Sequence, residues 1–364
     1  MKISISCPVG DPLNPSTWSR TPLNIINELK KRECLEEVFN TTINRKISFT
    51  IDKLIENSDK KYFNCFLFRK IPKIYLSFQN KIKKSRNILH MGILDLPEKR
   101  NKYINHYCLI DYSWDLWFKN QQKNQKHSLS FLQKVESIEY KKLNSAKHIF
   151  TTSKFIKDYI HSFYGIAQEK ITNVGTGTGI IQPLFDKKRY DFKEILFVAK
   201  GRFIDKGGDL VIEVFKKLNI IDPTIRFTIL GQDNYKDNFK KISNLNVLGY
   251  ISQNELQNLF NRSTLFIMPA KNEPWGLVYL EALLCKTPII GLNKNSFPEL
   301  CNYGEFGLVI KNENPNEIAQ MIYKLINNKG LLELMGNKGQ KFVIDNYRWD
   351  LTVNKIINTI KETQ

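Results

Sequence analysis

The chain has 364 residues, 42% of them hydrophobic and 25% charged. That balance does not suggest a disordered chain or a membrane protein, and the length leaves room for two domains, each with its own core. Net charge is +19: residues 1–186 carry 30 Lys/Arg against 17 Asp/Glu, an excess of 13, and the remainder carries 25 against 19, an excess of 6. Such a surplus favours anionic partners. Six cysteines without a C-x-x-C pair read as free thiols in a reducing compartment, and no apolar run approaches the roughly 18 residues of a membrane-spanning helix.

Lys2 to Cys7 alternates like a strand and is too short for a signal peptide, and Pro22 to Arg32 reads as the first helix with proline at a favoured initial position. The loop between them, GDPLNPSTWSRT, joins a strand end to a helix start, where open α/β sheets place ligands. Asn40 to Lys61 carries no clear signal. In the next stretch, FNCFLFRKIPKIYLSFQNKIKKSR, basic residues including Lys81, Lys83 and Lys84 interleave with Phe66, Phe68, Tyr75 and Phe78. Two readings fit: a helix lying on an anionic membrane surface, or an amphipathic helix packing on its own domain. The free thiols imply a cytoplasmic protein, and the first reading adds a peripheral place on the inner face of a membrane.

Ile88 to Ile93 and Ile104 to Asp111 are the next strands, and either Asp111 or Ser113 is placed to cap the helix that follows. The five histidines, at 90, 106, 127, 148 and 161, never stand at i, i+4, so no metal site is expected. His90 ends a strand-like run and fits a satisfied structural role better than a ligand-facing one. Ser128 to Asn144 has helical periodicity, Lys147 to Thr152 is a strand, and Ser153 is placed to cap another helix. The strand Lys170 to Val174 leads into Gly175-Thr-Gly-Thr-Gly179. A fresh α/β pattern starts at Glu194 after a linker near Phe185 to Lys193.

The strand Ile195 to Val198 runs into AKGRFIDKGG, which delivers Lys200, Arg202 and Lys206 among glycines ahead of the helix Asp209 to Leu218. Cations on a short loop beside a helix start suit a diphosphate, whose charge must be neutralised both when bound and when leaving. Strands follow at Arg226 to Leu230 and Leu245 to Leu248, then a helix at Glu255 to Phe260. The stretch LFIMPAKNEPWGLVYLEALLCKTPIIG, from Leu265 to Gly291, parses as buried strand, turn, helix and buried strand. The free amides of Gly276, Leu277 and Val278 at that helix start make a phosphate site. Glu281 is the only charge between Gly276 and Cys285, and a carboxylate among apolar neighbours needs partners such as a pair of sugar or ribose hydroxyls. Helices run from Pro315 to the end, the last near Trp349 to Ile360.

The segment Glu273-Pro-Trp-Gly-Leu-Val-Tyr-Leu-Glu281 closely resembles the E-x7-E motif of family 4 of the retaining, two-domain glycosyltransferases. The resemblance implies a GT-B architecture of class α/β: two Rossmann-like domains with parallel sheets facing across a cleft. The first, at 1–186, binds the acceptor, the second, at 187–345, binds the nucleotide sugar, and a C-terminal helix at 346–364 crosses back to the first.

In that family the first glutamate lies by the donor sugar and the second binds the ribose, roles carried over to Glu273 and Glu281. AKGRFIDKGG is similar to the family's G-R…K-G diphosphate clamp, with Lys206 as its lysine and either Arg202 or Lys200 as its second cation. The base is expected beside Gly249, Tyr250 and Ile251. Asp111 is the counterpart of a histidine that faces the donor sugar, and so a second catalytic candidate. Three departures stand out. Arg20 replaces an expected glycine in the first loop, the 175–179 turn matches loosely, and Asn295-Ser296-Phe297 replaces a glycine pair ahead of Pro298-Glu299.

The expected reaction moves a sugar from a nucleoside diphosphate sugar to a glycan or glycolipid acceptor hydroxyl with retention, in cell-surface glycan synthesis (lipopolysaccharide, capsule or glycolipid). No cofactor and no metal are expected, since no D-x-D run occurs. Competing readings are an epimerase or phosphorylase of the same architecture and a non-catalytic basic binding protein. Nucleic acid is not an expected partner, because no finger, basic zipper or aromatic-basic recognition motif is present.

Overall fold

The computed structural model describes residues 1–42, 86–100, 102–121, 127–199, 202–231 and 242–364. The basic amphipathic stretch ending at Arg86 lies outside them except for that last residue, and Lys200 lies outside them as well. The described chain divides into two compact units, Met1–Gly177 with Trp349–Gln364, and Thr178–Arg348.

In the first unit the strands β1 (Ile3–Cys7), β2 (Leu35–Asn40), β3 (Asn87–Met91), β4 (Asn105–Ile110), β5 (His148–Thr151) and β6 (Ile171–Asn173) form one sheet in the order β2-β1-β3-β4-β5-β6. Every pairing in it is parallel. Parallel strands are covered on both faces, which is why β1 and β3 are buried at every position. The helices α1 (Thr21–Lys31), α2 (Trp114–Gln121), α3 (Leu129–Ser145) and α4 (Lys154–Tyr164) supply the cover. Ser153 caps α4 as its position predicts, its hydroxyl accepting from the Ile156 amide at 3.2 Å. Ser113 supplies the cap of α2, taking the Leu116 amide at 3.4 Å. The buried Glu139 carboxylate reinforces it by accepting from the Trp114 and Asp115 amides at 3.0 Å each.

The second unit repeats the pattern with β7 (Glu194–Val198), α5 (Gly208–Ile221), β8 (Arg226–Leu230), β9 (Leu245–Leu248), α6 (Gln253–Arg262), β10 (Leu265–Ile267), α7 (Leu277–Leu284), β11 (Ile289–Leu292), α8 (Phe297–Leu300), β12 (Gly307–Ile310), α9 (Pro315–Ile326) and α10 (Lys329–Asn346). Its sheet is also parallel throughout, in the order β12-β11-β10-β7-β8-β9. Chain order therefore runs outward from β7 to one edge and then outward from β10 to the other. The reversal of direction lies between β7 and β10, and outside the carboxyl ends of such a strand pair the connecting loops diverge and leave room for a ligand.

The last helix, α11 (Trp349–Thr363), belongs to the first unit. Val353, Ile356 and Ile360 share one apolar cluster with Ile25, Ile26 and Leu29 of α1. Arg32 ties the pair at the surface, its Nε donating to Asn354 Oδ1 at 2.8 Å.

Candidate functional site

The two loops that leave the reversal point of the second sheet carry the cations and the first carboxylate singled out by sequence. The loop after β7 holds Arg202 and Lys206, and the loop after β10 holds Glu273. Lys206 Nζ stands 3.7 Å from Glu273 Oε2, with side chains only 14% and 17% exposed. At that depth the pair attracts more strongly than on an open surface, so each charge fixes the other's position.

The loop carrying Lys206 can reach this place because residue 207 is glycine. Its φ is +80°, and a Cβ there would lie 2.2 Å from the Pro269 carbonyl oxygen, so any larger residue would push the two loops apart. Arg202 makes the second tie between them: its Nη2 donates to the Asn272 carbonyl at 2.8 Å, and its Nε donates to Asp205 Oδ2 at 3.2 Å. In return the Lys271 amide donates to the Asp205 carbonyl at 2.9 Å.

Gly276 opens α7 in a left-handed conformation, φ +88°, and no side chain caps the helix start. The first amides of a helix have no partner within it, so those of Leu277 and Val278 remain as donors at a positive dipole end. Glu273 reaches the same spot: its Cγ lies 3.4 Å from where a Cβ on Gly276 would stand. The turn is braced from behind, with Ser296 Oγ donating to the Pro274 carbonyl at 2.7 Å and the Phe297 ring packing on Tyr279 at 4.8 Å between centroids. Tyr279 in turn donates to the Met268 carbonyl. Burial, and next the nearby Glu273 charge, push the Tyr279 phenol well up from its ordinary value, so it stays a neutral donor. Asn295, where a glycine was expected, keeps a left-handed φ of 51°, a conformation that asparagine tolerates better than most side chains.

Glu281 lies one helical face away. Its Oε1 accepts from the Ile180 amide at 3.0 Å, and a Cβ on Gly179 would fall 2.0 Å from the same oxygen. The glycine-bearing turn thus lets the chain pass close over the carboxylate. Gly249, Tyr250 and Ile251 follow β9, the edge strand of the sheet, and Tyr250 is 86% exposed.

In the first unit Asp111 follows β4, and Trp18 Nε1 donates to its Oδ2 at 2.6 Å. Trp18, Ser19 and Arg20 all have positive φ (41°, 51° and 69°), so Arg20 takes up the left-handed backbone that a glycine would adopt without strain. Among the described residues no group of three or more His, Cys, Asp or Glu is arranged to hold a metal ion.

The structure therefore joins Arg202, Lys206, Glu273 and the Gly276 helix start, and ties Glu281 to the 179–180 turn. Sequence reasoning passed over Asp205, Asn272 and Ile180. The signals were present in part, since Asp205 and Asn272 flank the two motif loops. Only the strand order shows that those loops are neighbours.

Residues 182–361 match the family described as Glycosyl transferases group 1. An uncharacterized glycosyltransferase of Methanocaldococcus jannaschii is 28% identical over 230 residues, 61% of this chain and 61% of that protein, so the chain spans about three fifths of that relative's length. The poly(ribitol-phosphate) alpha-N-acetylglucosaminyltransferase of Staphylococcus aureus is 23% identical across 85% of this chain and 57% of its own. Sucrose-phosphate synthase from Thermosynechococcus elongatus superimposes with a TM-score of 0.75 over 100% of this chain and 99% of its own, at 14% identity. A likeness at that identity establishes the fold, which is GT-B.

Proposed function

We propose, on the match of residues 182–361 to the group 1 glycosyl transferases, that the protein moves a sugar from a nucleoside diphosphate sugar to an acceptor hydroxyl with retention of configuration, as a family 4 enzyme. The observation that carries this reading is the meeting of Lys206 and Glu273 beside an uncapped helix start at the reversal point of the sheet.

In the reaction the bond from the anomeric carbon to the phosphate oxygen lengthens and negative charge gathers on the departing diphosphate. Lys206, Arg202 and the amides of Leu277 and Val278 stabilise that charge more than they stabilise the bound donor, which is the condition for acceleration. Glu273 orients the Lys206 ammonium before the donor arrives and then lies by the sugar. The departing phosphate oxygen takes the acceptor's proton as the acceptor oxygen bonds to the anomeric carbon from the same face. Glu281 binds the ribose, and the backbone of Gly249, Tyr250 and Ile251 meets the base. Asp111, aligned by Trp18, is the second catalytic candidate.

The acceptor is a cell-surface glycan or glycolipid. Its support is the S. aureus relative, whose name specifies an anionic polymer, together with the excess of 13 positive charges in residues 1–186. The same excess supports an anionic membrane surface as the second partner, which puts the protein at the cytoplasmic face of the membrane. No helix among the described residues is long and apolar enough to cross one.

The test begins with thermal shifts against UDP, GDP and ADP sugars, since a ligand of the native state raises the melting temperature by mass action. With the donor found, Lys206→Ala and Glu281→Gln should each weaken its binding about ten- to a hundredfold, the range for a hydrogen bond to a charged group. Glu273→Ala should mainly lower turnover. Wild-type kinetics in all three variants would overturn the site, and an inverted anomer in the product would overturn the retaining assignment.

A further inference from the structure

Asn272 is 5% exposed, yet among the described residues neither its Oδ1 nor its Nδ2 has a hydrogen-bond partner. Its backbone is fully engaged: Arg202 holds the carbonyl, and the amide faces the Asp205 carbonyl at 3.5 Å. Two residues on, the Ser296 hydroxyl fixes the Pro274 carbonyl. The main chain is thus clamped on both sides, and a side chain on a clamped segment cannot swing out to find water. A buried donor and acceptor left unpaired destabilise a fold, so a position that keeps both has them reserved for something that arrives later.

Its surroundings indicate what arrives. Asn272 adjoins Glu273, whose carboxylate meets Lys206, on the loop that leads to the uncapped start of α7. The charged groups and helix amides suit the diphosphate. A carboxamide offers one acceptor and two donors in one plane without charge, which matches hydroxyls, since each of these both donates and accepts. Resting on the nucleotide-sugar reading above, we propose that Asn272 sets donor specificity by hydrogen-bonding hydroxyls of the sugar being transferred. A site built to bond a hydroxyl rejects the analogue lacking it, because its own buried groups are then left unpaired.

The experiment compares wild type with Asn272→Leu and Asn272→Ser. Each is titrated with the nucleoside diphosphates UDP, GDP and ADP alone and with their glucose, N-acetylglucosamine and mannose conjugates, and each is melted without ligand. Asn272→Leu is expected to bind the bare diphosphate within about twofold of wild type and the sugar conjugate roughly tenfold more weakly. It should also melt a few degrees higher when unliganded, because an apolar group of similar volume removes the unpaired amide. Asn272→Ser, which keeps one donor and acceptor, should fall between them and serves as the arm that survives if the leucine variant fails to fold. Equal weakening of diphosphate and conjugate, or a lowered unliganded melting temperature with sugar binding intact, overturns the proposal and makes Asn272 a structural residue holding an internal water. A wild type that binds no nucleotide sugar overturns the donor reading itself, whereas intact discrimination in both variants overturns only the role of Asn272.

Discussion

Each of the two sheets reverses direction once among its described strands, between β1 and β3 in the first unit and between β7 and β10 in the second, and the two places are furnished in opposite ways. In the first unit Asp95 lies just beyond β3 and is buried with Ser6, Thr41, His90 and His106. Ser6 and Thr41 donate to its Oδ2, His90 Nδ1 meets its Oδ1 at 2.9 Å, and His90 Nε2 meets His106 Nδ1 at 2.9 Å. The loop that presents Asp95 is pinned by the buried Lys142 ammonium, which donates to the Ile93 and Leu94 carbonyls. Burial alone would raise the Asp95 carboxyl, but the His90 ring and the two hydroxyls hold it well below the usual carboxylate range. In the second unit the equivalent place has a half-open ion pair and, among the described residues, an uncapped helix and a side-chain amide with nothing to bond. One reversal point has its polar groups closed on one another, and the other leaves polar groups open among the described residues. Topology offers two places, and the hydrogen-bond inventory is what distinguishes them.

The sharpest way to break this contrast is Asp95→Ala. Removing the carboxylate strands His90, Ser6 and Thr41 in the interior and should cost about 3–5 kcal/mol in urea unfolding, while nucleotide-sugar binding per folded molecule is unchanged. Gly207→Ala should cost about 2 kcal/mol, from a strained φ and the contact with the Pro269 carbonyl, and should also abolish donor binding.

Acidity separates the two places as well. Burial, and next the His90 ring, hold His106 down to about 3, and burial holds His148 down to about 4, against about 6.5 when unfolded. Below pH 6.5 the unfolded chain therefore binds protons that the folded one refuses. Stability is complete above that pH and should fall by about 1.4 kcal/mol per proton per pH unit toward pH 4, with His106→Gln halving the slope of a urea midpoint series. Smallest of all, Lys206→Ala should change stability by less than about 1 kcal/mol, because its partner Glu273 keeps access to water. A large loss there would mean that the second reversal point is as structural as the first.

Much of the fold was legible. The β10-α7-β11 stretch announced itself through two apolar runs and a glycine at the helix start, and the Ser153 cap fell where it was expected. β2 was not legible, since LEEVFN carries two glutamates and forms an edge where one side needs no apolar cover. Nor was β12, a four-residue edge strand beginning at a glycine. Of the candidate site, each motif loop could be read by itself, because cations, glycines and a carboxylate are local signals. Their meeting could not, because it follows from a strand order that places β10 next to β7 although β8 and β9 intervene in sequence. Asn272 was invisible for a further reason: an asparagine in a turn is ordinary, and only burial makes an unpaired one notable.

The helix α11 carries a consequence for biosynthesis. It completes the apolar cluster of the unit whose strands are translated first, so that unit lacks part of its interior until residues 349–363 have left the ribosome. The unit encoded in the middle is complete in itself and is free to fold earlier. Assembly then runs from the middle of the message outward, and a nascent chain halted at residue 348 would carry a finished second unit and an unsealed first one.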